Sequence, residues 1–375
     1  MITIAGLMLL FMSSCGRKDK PENVIYLIGD GMGFGAVSSL LLSEDSLTGF
    51  EMDPVIGLSE TCSADNHVTD SPAGGTALAT GTRTRNGYLG VDPDGNQLTS
   101  VLRKAQEMGK RTGIVVNTTL TEATPAAFYA GVTSRRHTYE IAKQFTESGV
   151  DVAIGAGLDH FINRPDSLDL TATLINKGYD VYLDWRSVLS TSSDQFVGIL
   201  PLACVHRRES KDVTAGAADG QEVCLAAQLA AAEADDAASR LYEPEVYLEK
   251  AAAKALDVLS RNNDNGFFLM IESAGTDKYG HNGTINGKLA SVVTLDRTVA
   301  AALLFMEENP DTLLIITSVV ALALAGINQV TAPIIAASNE AKTQKAVNEV
   351  LPGGGESIAF TDESGLISEV YESET

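Results

Sequence analysis

Apolar and polar positions in this chain alternate in blocks rather than residue by residue. Asn23 to Ile28 (NVIYLI) is a continuous apolar run rich in β-forming residues, closed by Gly29-Asp30-Gly31. A run apolar on both faces, followed at once by a tight turn, suits a buried parallel strand feeding a helix. Runs of the same kind recur at Thr112 to Val116, Val150 to Ile154, Tyr179 to Leu183, Phe267 to Ile271 and Thr312 to Ile316, separated by helical stretches such as Leu98 to Glu107 and Tyr139 to Ser148. Strands alternating with helices predict an α/β fold, a three-layer sandwich with a mostly parallel central sheet covered on both faces. In such sheets ligands collect at the carboxyl ends of the strands, so acidic residues just after strands become candidates for chemistry.

The rhythm breaks in two places. Leu202 to Ala238 departs from it, and Ala226 to Ala238 is nearly all Ala, Glu and Asp with leucines, read as an inserted surface helix or a poorly ordered excursion. Pro244 to Asn262 then recovers an amphipathic helix leading into the strand at Phe267. Thr312 to Asn339 carries no charged residue, yet its apolar part, Leu313 to Ile327, is shorter than the roughly 20 residues a bilayer crossing needs. A buried strand followed by an Ala/Leu helix is expected there, then a last strand over Val330 to Ala337 and a polar helix over Glu340 to Val350. The tail from Pro352, Gly-rich then acidic, is expected to be loosely ordered.

Met1 to Gly16 reads as an export signal ending in a lipobox, with Cys15 the lipidated residue ahead of the polar Arg17-Lys18-Asp19-Lys20. The organisation expected is a leader and linker over 1–22, an α/β domain over 23–338 with an inserted excursion near 202–243, and an altered or shortened tail over 339–375. Export permits disulfides, but with Cys15 used, Cys62, Cys204 and Cys224 are odd in number, and a Cys204 to Cys224 bridge is the most the sequence suggests. The 375 residues, 44% hydrophobic and 20% charged, suffice for a large core. A formal charge of −22 argues against nucleic acid and anionic membrane surfaces as partners, leaving a lipid anchor as the membrane contact. It would also repel phosphate, so phosphate chemistry here requires local positive charge from metal ions or a placed arginine.

The chemistry-bearing stretch is Thr69-Asp70-Ser71-Pro72-Ala73-Gly74-Gly75-Thr76. Proline is favoured at the first helical position, which puts Ser71 at the N-cap beside orphan N–H groups and the positive end of the helix dipole. The serine is then either an ordinary cap or a nucleophile at an anion site. Gly74 and Gly75 weaken a helix by roughly 1 kcal/mol each relative to alanine, as expected where something approaches the backbone closely. Asp30 is either a turn residue bonding its own backbone or a ligand at a strand end. Glu272, ending the run FFLMIE, is either a strand-end glutamate reaching solvent or a buried carboxylate that needs a cation or a hydrogen-bond partner. Asp277 and His281 share a helix face at i, i+4, as an ion pair or as ligands for a divalent metal such as zinc. Arg135, in Thr133-Ser134-Arg135-Arg136, is either solvated or a planar fork for phosphate.

Taken in order, GDGMG, VTDSPAGGTALATG, ATPAAFYAGVTSR and FFLMIESAGTDKYGH closely resemble the alkaline phosphatase family over roughly Asn23 to Ile316, with Gly87 to Asp92 and Asp151 to Gly157 similar to its connecting segments. The resemblance implies an alkaline phosphatase-like sandwich that hydrolyses small-molecule phosphate monoesters, with Ser71 as nucleophile through a phosphoserine and Arg135 binding two phosphate oxygens. It implies magnesium (Mg2+) held by Asp30, Thr124 and Glu272, zinc (Zn2+) with Asp277 and His281 at its first site and Asp30 bridging to a second, and a homodimer. Two metal ions about 4 Å apart would ionise the serine and stabilise the leaving oxygen.

The chain also departs from the family. Where its strand runs into an Ala-Asp-His-Glu type motif supplying zinc ligands, this sequence reads Ser318-Val319-Val320-Ala321-Leu322. A later Gly-His-Thr-Gly type histidine is absent, the histidines being His67, His137, His160, His206 and His281. Both zinc sites are therefore incomplete while the magnesium set is whole. Glu122 stands where the family commonly has Asp or His near magnesium. The spacing of Asp362 and Glu363 does not recommend them as replacements, and His67, four residues before Ser71, is either recruited or a plain surface histidine. Three functions are open: a metal-dependent phosphomonoesterase, a non-catalytic exported lipoprotein retaining a magnesium or phosphate pocket, and a metal-free serine hydrolase at Ser71 lacking a spaced histidine base.

Overall fold

In the computed structural model the described residues are 21–43, 48–52, 57, 59, 61–201, 244–281, 283, 285–319, 355–359 and 369–373. The first strand, β1 (Asn23–Asp30), leads into α1 (Phe34–Ser43), α2 (Gly49–Met52), α3 (Ser71–Thr80) and α4 (Val101–Glu107). β2 (Arg111–Thr119) is followed by α5 (Ala123–Ala126) and α6 (Thr138–Thr146), and β3 (Val152–Ala156) by α7 (Asp159–Ile162) and α8 (Leu170–Asn176). β4 (Asp180–Tyr182), α9 (Trp185–Ser190) and β5 (Phe196–Leu200) come next, then α10 (Pro244–Ser260), β6 (Phe267–Ser273), α11 (Gly275–His281), α12 (Ile285–Glu308) and β7 (Thr312–Val319). A short pair, β8 (Gly355–Ala359) and β9 (Glu369–Ser373), completes the described elements.

β1 to β7 form one sheet in the order β4-β5-β3-β2-β6-β1-β7, every pairing parallel. All its carboxyl ends therefore lie along one edge. The apolar runs are buried because both faces are covered. Ile25, Leu27, Val115, Leu269 and Ile271 pack under α10 and α12 with Leu248, Leu256, Leu259, Val292, Leu295 and Val299. Ile28, Ile114, Val116 and Met270 face the opposite layer with Leu102, Phe128, Ile141, Phe145 and Phe161. Each such side chain contributes about 1.5–3 kcal/mol on burial, which fixes the register of every strand. α12 is long and apolar enough by composition to cross a membrane. Its Val292, Leu295, Val299 and Ala302 are buried in the core, as in the central helix of a packed domain.

The six strands expected between Asn23 and Ile316 are all present, longer at their carboxyl ends for β1, β2, β6 and β7. The parallel ladder continues there as long as neighbours supply partners: Ile28 lies opposite both Glu272 and Thr317, and Asp30 opposite Val319. α4 starts at Val101 rather than Leu98 because Ser100 caps it, accepting from Arg103 N at 3.2 Å. One strand of the parallel sheet was not anticipated from the sequence, β5, whose FVGIL run is short and broken by Gly198. Part of the expected loose tail is ordered backbone: β8 and β9 pair antiparallel from Gly355↔Ser373 to Ala359↔Glu369. Backbone groups satisfy one another in a ladder whatever the acidity of the segment, and β-branched Ile358 and Val370 fall at paired positions. The leader with Cys15, the excursion with Cys204 and Cys224, Val320 to Leu322, Val330 to Ala337, Glu340 to Val350, Asp362 and Glu363 lie outside the described residues.

Candidate active site

Asp70, rather than Ser71, caps α3. Its backbone is extended and its carboxylate accepts from Ala73 N at 3.0 Å and from Gly87 N at 2.7 Å, while Ser71 is the first helical residue. A carboxylate satisfies the orphan N–H groups better than a hydroxyl because it carries charge at the positive end of the helix. Relieved of that duty, the Ser71 hydroxyl donates to Asp30 at the end of β1, at 3.1 Å to Oδ2 and 3.3 Å to Oδ1. Both side chains are buried. The glycines of α3 are explained by protein contacts. A Cβ at Gly74 would lie 2.7 Å from Val319 Cγ1, and one at Gly75 would lie 3.3 Å from Thr124 Cα, so α3 lies tight against the end of β7 and against α5.

Asp30, Ser71, Thr124 and Glu272 line a single cleft at the carboxyl edge of the sheet, with Glu122, Arg135, Asp277 and Lys278 on its other walls. Three strands and the helices after them deliver these groups, as the parallel topology requires. Glu272 is 1% exposed in the middle of the sheet. Burial, reinforced by the neighbouring Asp30 carboxylate, raises its pKa well above the ordinary range. Thr124 lies close enough to offset a little of this, but neither Thr124 Oγ1 nor Glu272 Oε2 completes a hydrogen bond of good geometry. Burial and then Asp277 push Asp30 up to about 7, against the hydrogen bond from Ser71. Burial likewise raises Asp277. These are the marks of carboxylates placed for a cation: converging, desolvated and short of partners.

The positive side of the cleft is a network anchored on Glu122. Arg135 Nη2 donates to Glu122 Oε2 at 2.8 Å, and Lys278 Nζ lies 3.3 Å from Oε1 while donating to Thr118 Oγ1 at 2.7 Å. Burial raises the Glu122 carboxyl, but Lys278 and Arg135 outweigh it and the net shift is downward. Glu122 is therefore the anchor of the phosphate-binding candidate Arg135. Lys278 was missed in the sequence. Its signal was a lone lysine between Asp277 and His281, opposite a set of strand-end acids.

Asp277 and His281 do share a face of α11, with His281 Nε2 3.4 Å from Asp277 Oδ1. His281 is mostly exposed. Gly31, in the turn after β1, has φ +62 and packs on Asp277, where a Cβ would fall 2.8 Å from both Cα and Oδ1. A left-handed turn and this close approach together demand glycine. Val319 faces the same edge: its carbonyl accepts from Gly31 N at 2.6 Å and its side chain is buried on α3. Among the described residues no three His, Cys, Asp or Glu side chains are grouped to hold one ion. Asp30, Thr124 and Glu272 offer a hard-oxygen set with two orphaned buried atoms, which fits a magnesium-type cation. Asp277 and His281 are fewer than the three protein ligands a catalytic zinc takes, so these residues do not fit a zinc site. His67 is exposed, on the loop preceding α3.

The α/β sandwich thus brings a serine at a helix start to face strand-end acids. A family model for alkaline phosphatase matches residues 21–352, and the chain belongs to that family. Alkaline phosphatase 4 of Bacillus subtilis is 32% identical over 324 residues, covering 82% of this chain and 63% of that protein. Alkaline phosphatase 3 of the same organism is 28% identical over 319 residues, covering 81% and 62%. The chain thus spans less than two thirds of the length of these relatives. Among solved structures, the alkaline phosphatase of the Antarctic bacterium TAB5 superposes with a TM-score of 0.65 at 29% identity, over 80% of this chain and 78% of that one. That of Thermus thermophilus gives 0.68 at 25% identity, over 86% and 64%.

Proposed function

We propose that this chain hydrolyses phosphate monoesters through a phosphoserine at Ser71. The observation that carries the reading is the convergence, in one cleft, of the Ser71 hydroxyl, the desolvated Asp30 and Glu272 carboxylates, the orphaned Thr124 hydroxyl and the Arg135 fork. Four carboxyl groups face two cationic side chains that Glu122 already engages, which leaves little positive charge for a phosphate dianion, so the site works only once a cation joins it. Asp30, Thr124 and Glu272 would hold a magnesium ion, and a variant of the TAB5 enzyme has been solved with Mg bound. Such an ion supplies positive charge for a phosphoryl group and lowers the proton affinity of oxygens beside it. Arg135 binds two phosphate oxygens with its planar fork, which Glu122 engages while the cleft is empty. Ser71 Oγ attacks phosphorus as its proton passes to water; the P–O bond to the ester oxygen breaks, and the departing alkoxide takes a proton from water and leaves as the alcohol. Water then attacks the phosphoserine and frees Ser71.

A second reading has its own observation. Val319, apolar and buried, occupies the end of the strand beside Asp30, and Asp277 and His281 stand as a pair. A non-catalytic protein that binds phosphate or a divalent cation would look the same. Export, attachment of a lipid at Cys15 and pairing into a homodimer complete the proposal. The test measures metal content and release of phosphate from an aryl phosphate, with and without chelator. A chelator-sensitive rate lost in Ser71→Ala is expected. Binding of phosphate and metal without turnover would establish the second reading instead, and chelator-insensitive ester hydrolysis would point to a metal-free serine hydrolase.

A further inference from the structure

Arg164 is a buried charge outside the cleft, with its side chain 2% exposed. Burying a guanidinium costs free energy unless its donors are filled, and here they are. Nε donates to Asp166 Oδ1 at 2.9 Å and Nη2 to Oδ2 at 2.5 Å, while Nη1 donates to Tyr139 O at 2.8 Å and to His160 O at 3.0 Å. The guanidinium also lies 5.5 Å from the centre of the Tyr139 ring, and that ring meets the His160 ring edge-on at 6.0 Å. Arg164 thus staples α6 to α7 and fixes His160 between them.

His160 carries this staple to the edge of the cleft. Its Nδ1 shares a hydrogen bond with Thr121 Oγ1 at 2.6 Å, and Thr121 is 2% exposed, directly before Glu122 in the connection from β2 to α5. The rest of that connection is held as closely. Leu120 N donates to Ala156 O at 2.9 Å, Tyr129 Oη donates to Leu120 O at 2.8 Å, and Glu122 N donates to Thr119 O at 3.0 Å. Gly157, at φ +104, lets the end of β3 come this near: a Cβ there would lie 2.9 Å from Thr119 Cβ and 3.5 Å from His160 Nδ1. The backbone is therefore fixed at the point where the Glu122 side chain leaves it. Glu122 occupies the N-cap position of α5 without a side-chain cap hydrogen bond, which leaves its carboxylate for Arg135 and Lys278.

We propose that Thr121 and His160 are positioning residues: their hydrogen bond, braced by Arg164, holds Glu122 against Arg135 in the empty cleft and so limits how tightly the cleft takes phosphate. The limit on phosphate rests on the reading of Arg135 as its ligand; the hold on Glu122 does not.

The test uses the full chain with Thr121→Val, which keeps the shape and removes the hydroxyl, Thr121→Ser, which keeps the hydroxyl, and His160→Phe, which keeps a ring against Tyr139. Modification of Arg135 by phenylglyoxal, a reagent for accessible guanidinium groups, is followed by mass spectrometry, with the exposed Arg136 as internal reference. Thr121→Val and His160→Phe are expected to react about threefold faster at Arg135 than the parent, the Glu122 pair being partly exposed and its hold correspondingly modest. Thr121→Ser is expected to match the parent, and Thr121→Val/Glu122→Ala to react no faster than Glu122→Ala. An unchanged rate in Thr121→Val, a gain that adds to that of Glu122→Ala, or an equal rise at Arg136 overturns the proposal. Titration with inorganic phosphate in magnesium buffer is the second arm. Thr121→Val is expected to bind it about twofold more tightly, with no further gain in Glu122→Ala; unchanged or weaker binding overturns the limit on phosphate. A parent that binds no phosphate, with the Arg135 rates as expected, refutes the phosphate reading of Arg135 and establishes the hold on Glu122.

Discussion

Arg135 donates from Nη2 to Glu122 Oε2 over 2.8 Å, so the fork expected to hold phosphate is already engaged by a carboxylate. Lys278 shares the same carboxylate from the other side at 3.3 Å. Any phosphate must draw Arg135 from this partner or add to it. Glu122→Gln leaves both cations without their counter-charge, and inorganic phosphate is expected to bind roughly two- to fivefold more tightly, the pair being partly exposed and its attraction correspondingly small. Isothermal titration with phosphate in magnesium buffer measures it; weaker binding in the variant would show that Glu122 positions the fork more than it competes for it.

Asp70 both caps α3 through Ala73 N and ties the Gly87 turn to the helix start. Asp70→Ala removes both acceptors and is expected to lower stability by about 1–2 kcal/mol. Asp70→Ser, which restores a cap acceptor, is expected to recover part of this. Chemical denaturation of the three proteins decides it, and an Asp70→Ala midpoint equal to the parent's would contradict the capping role.

With divalent metal removed, the cleft carboxylates make stability depend on pH. Burial holds Asp30 at about 7 instead of 3.8, and Glu272 and Asp277 are raised in the same direction. Between the ordinary and raised values the folded protein binds more protons than the unfolded chain, so stability is greatest toward the lower end of that window and falls as pH rises through it. Melting in chelator is expected to be several degrees lower at pH 8 than at pH 5, with magnesium recovering most of the difference at pH 8. A higher melting temperature at pH 8 in chelator would refute this account.

Val319 lies opposite Asp30 in the ladder, with its side chain on α3. Val319→Asp introduces a further carboxylate beside desolvated ones and is expected to cost about 3 kcal/mol in chelator. Zinc is expected to reverse most of that loss, because the added ligand extends the sets at Asp30 and Asp277. Paired melts with and without zinc provide the comparison; a loss that zinc leaves unchanged would mean the strand end cannot turn its side chain toward the ion.

The strands of the sheet were legible because an apolar run bounded by glycines has few ways to be buried, and parallel packing is the one that covers both faces. Phe196 to Leu200 escaped because five residues with a central glycine carry little periodic signal. The cap at α3 was placed one residue late, since Ser71 and Asp70 are both good caps and only the competing Ser71–Asp30 hydrogen bond separates them. Asp30, Thr124, Glu272, Asp277 and Arg135 were legible as strand-end or motif residues. Glu122 as the direct partner of Arg135 and Lys278 was not, because that contact joins three elements whose distances depend on how helices seat on the sheet.

What the sequence determined by itself is the set of local facts: which runs are strands, which acids end them, where a helix starts at a serine, and which family those motifs belong to. The strands, their terminal acids and the helix start follow from side-chain periodicity and backbone propensity, which act over a few residues, and the family follows from the resemblance of the ordered motifs. The tertiary structure alone decided the sheet order, which brings the ends of β1, β2 and β6 to one edge, and the close packing of α11 on α12, which turns Lys288 inward toward Gly31. The charge balance of the cleft is set by distances between elements far apart in the chain, and those distances are fixed only when both faces of the sheet are packed.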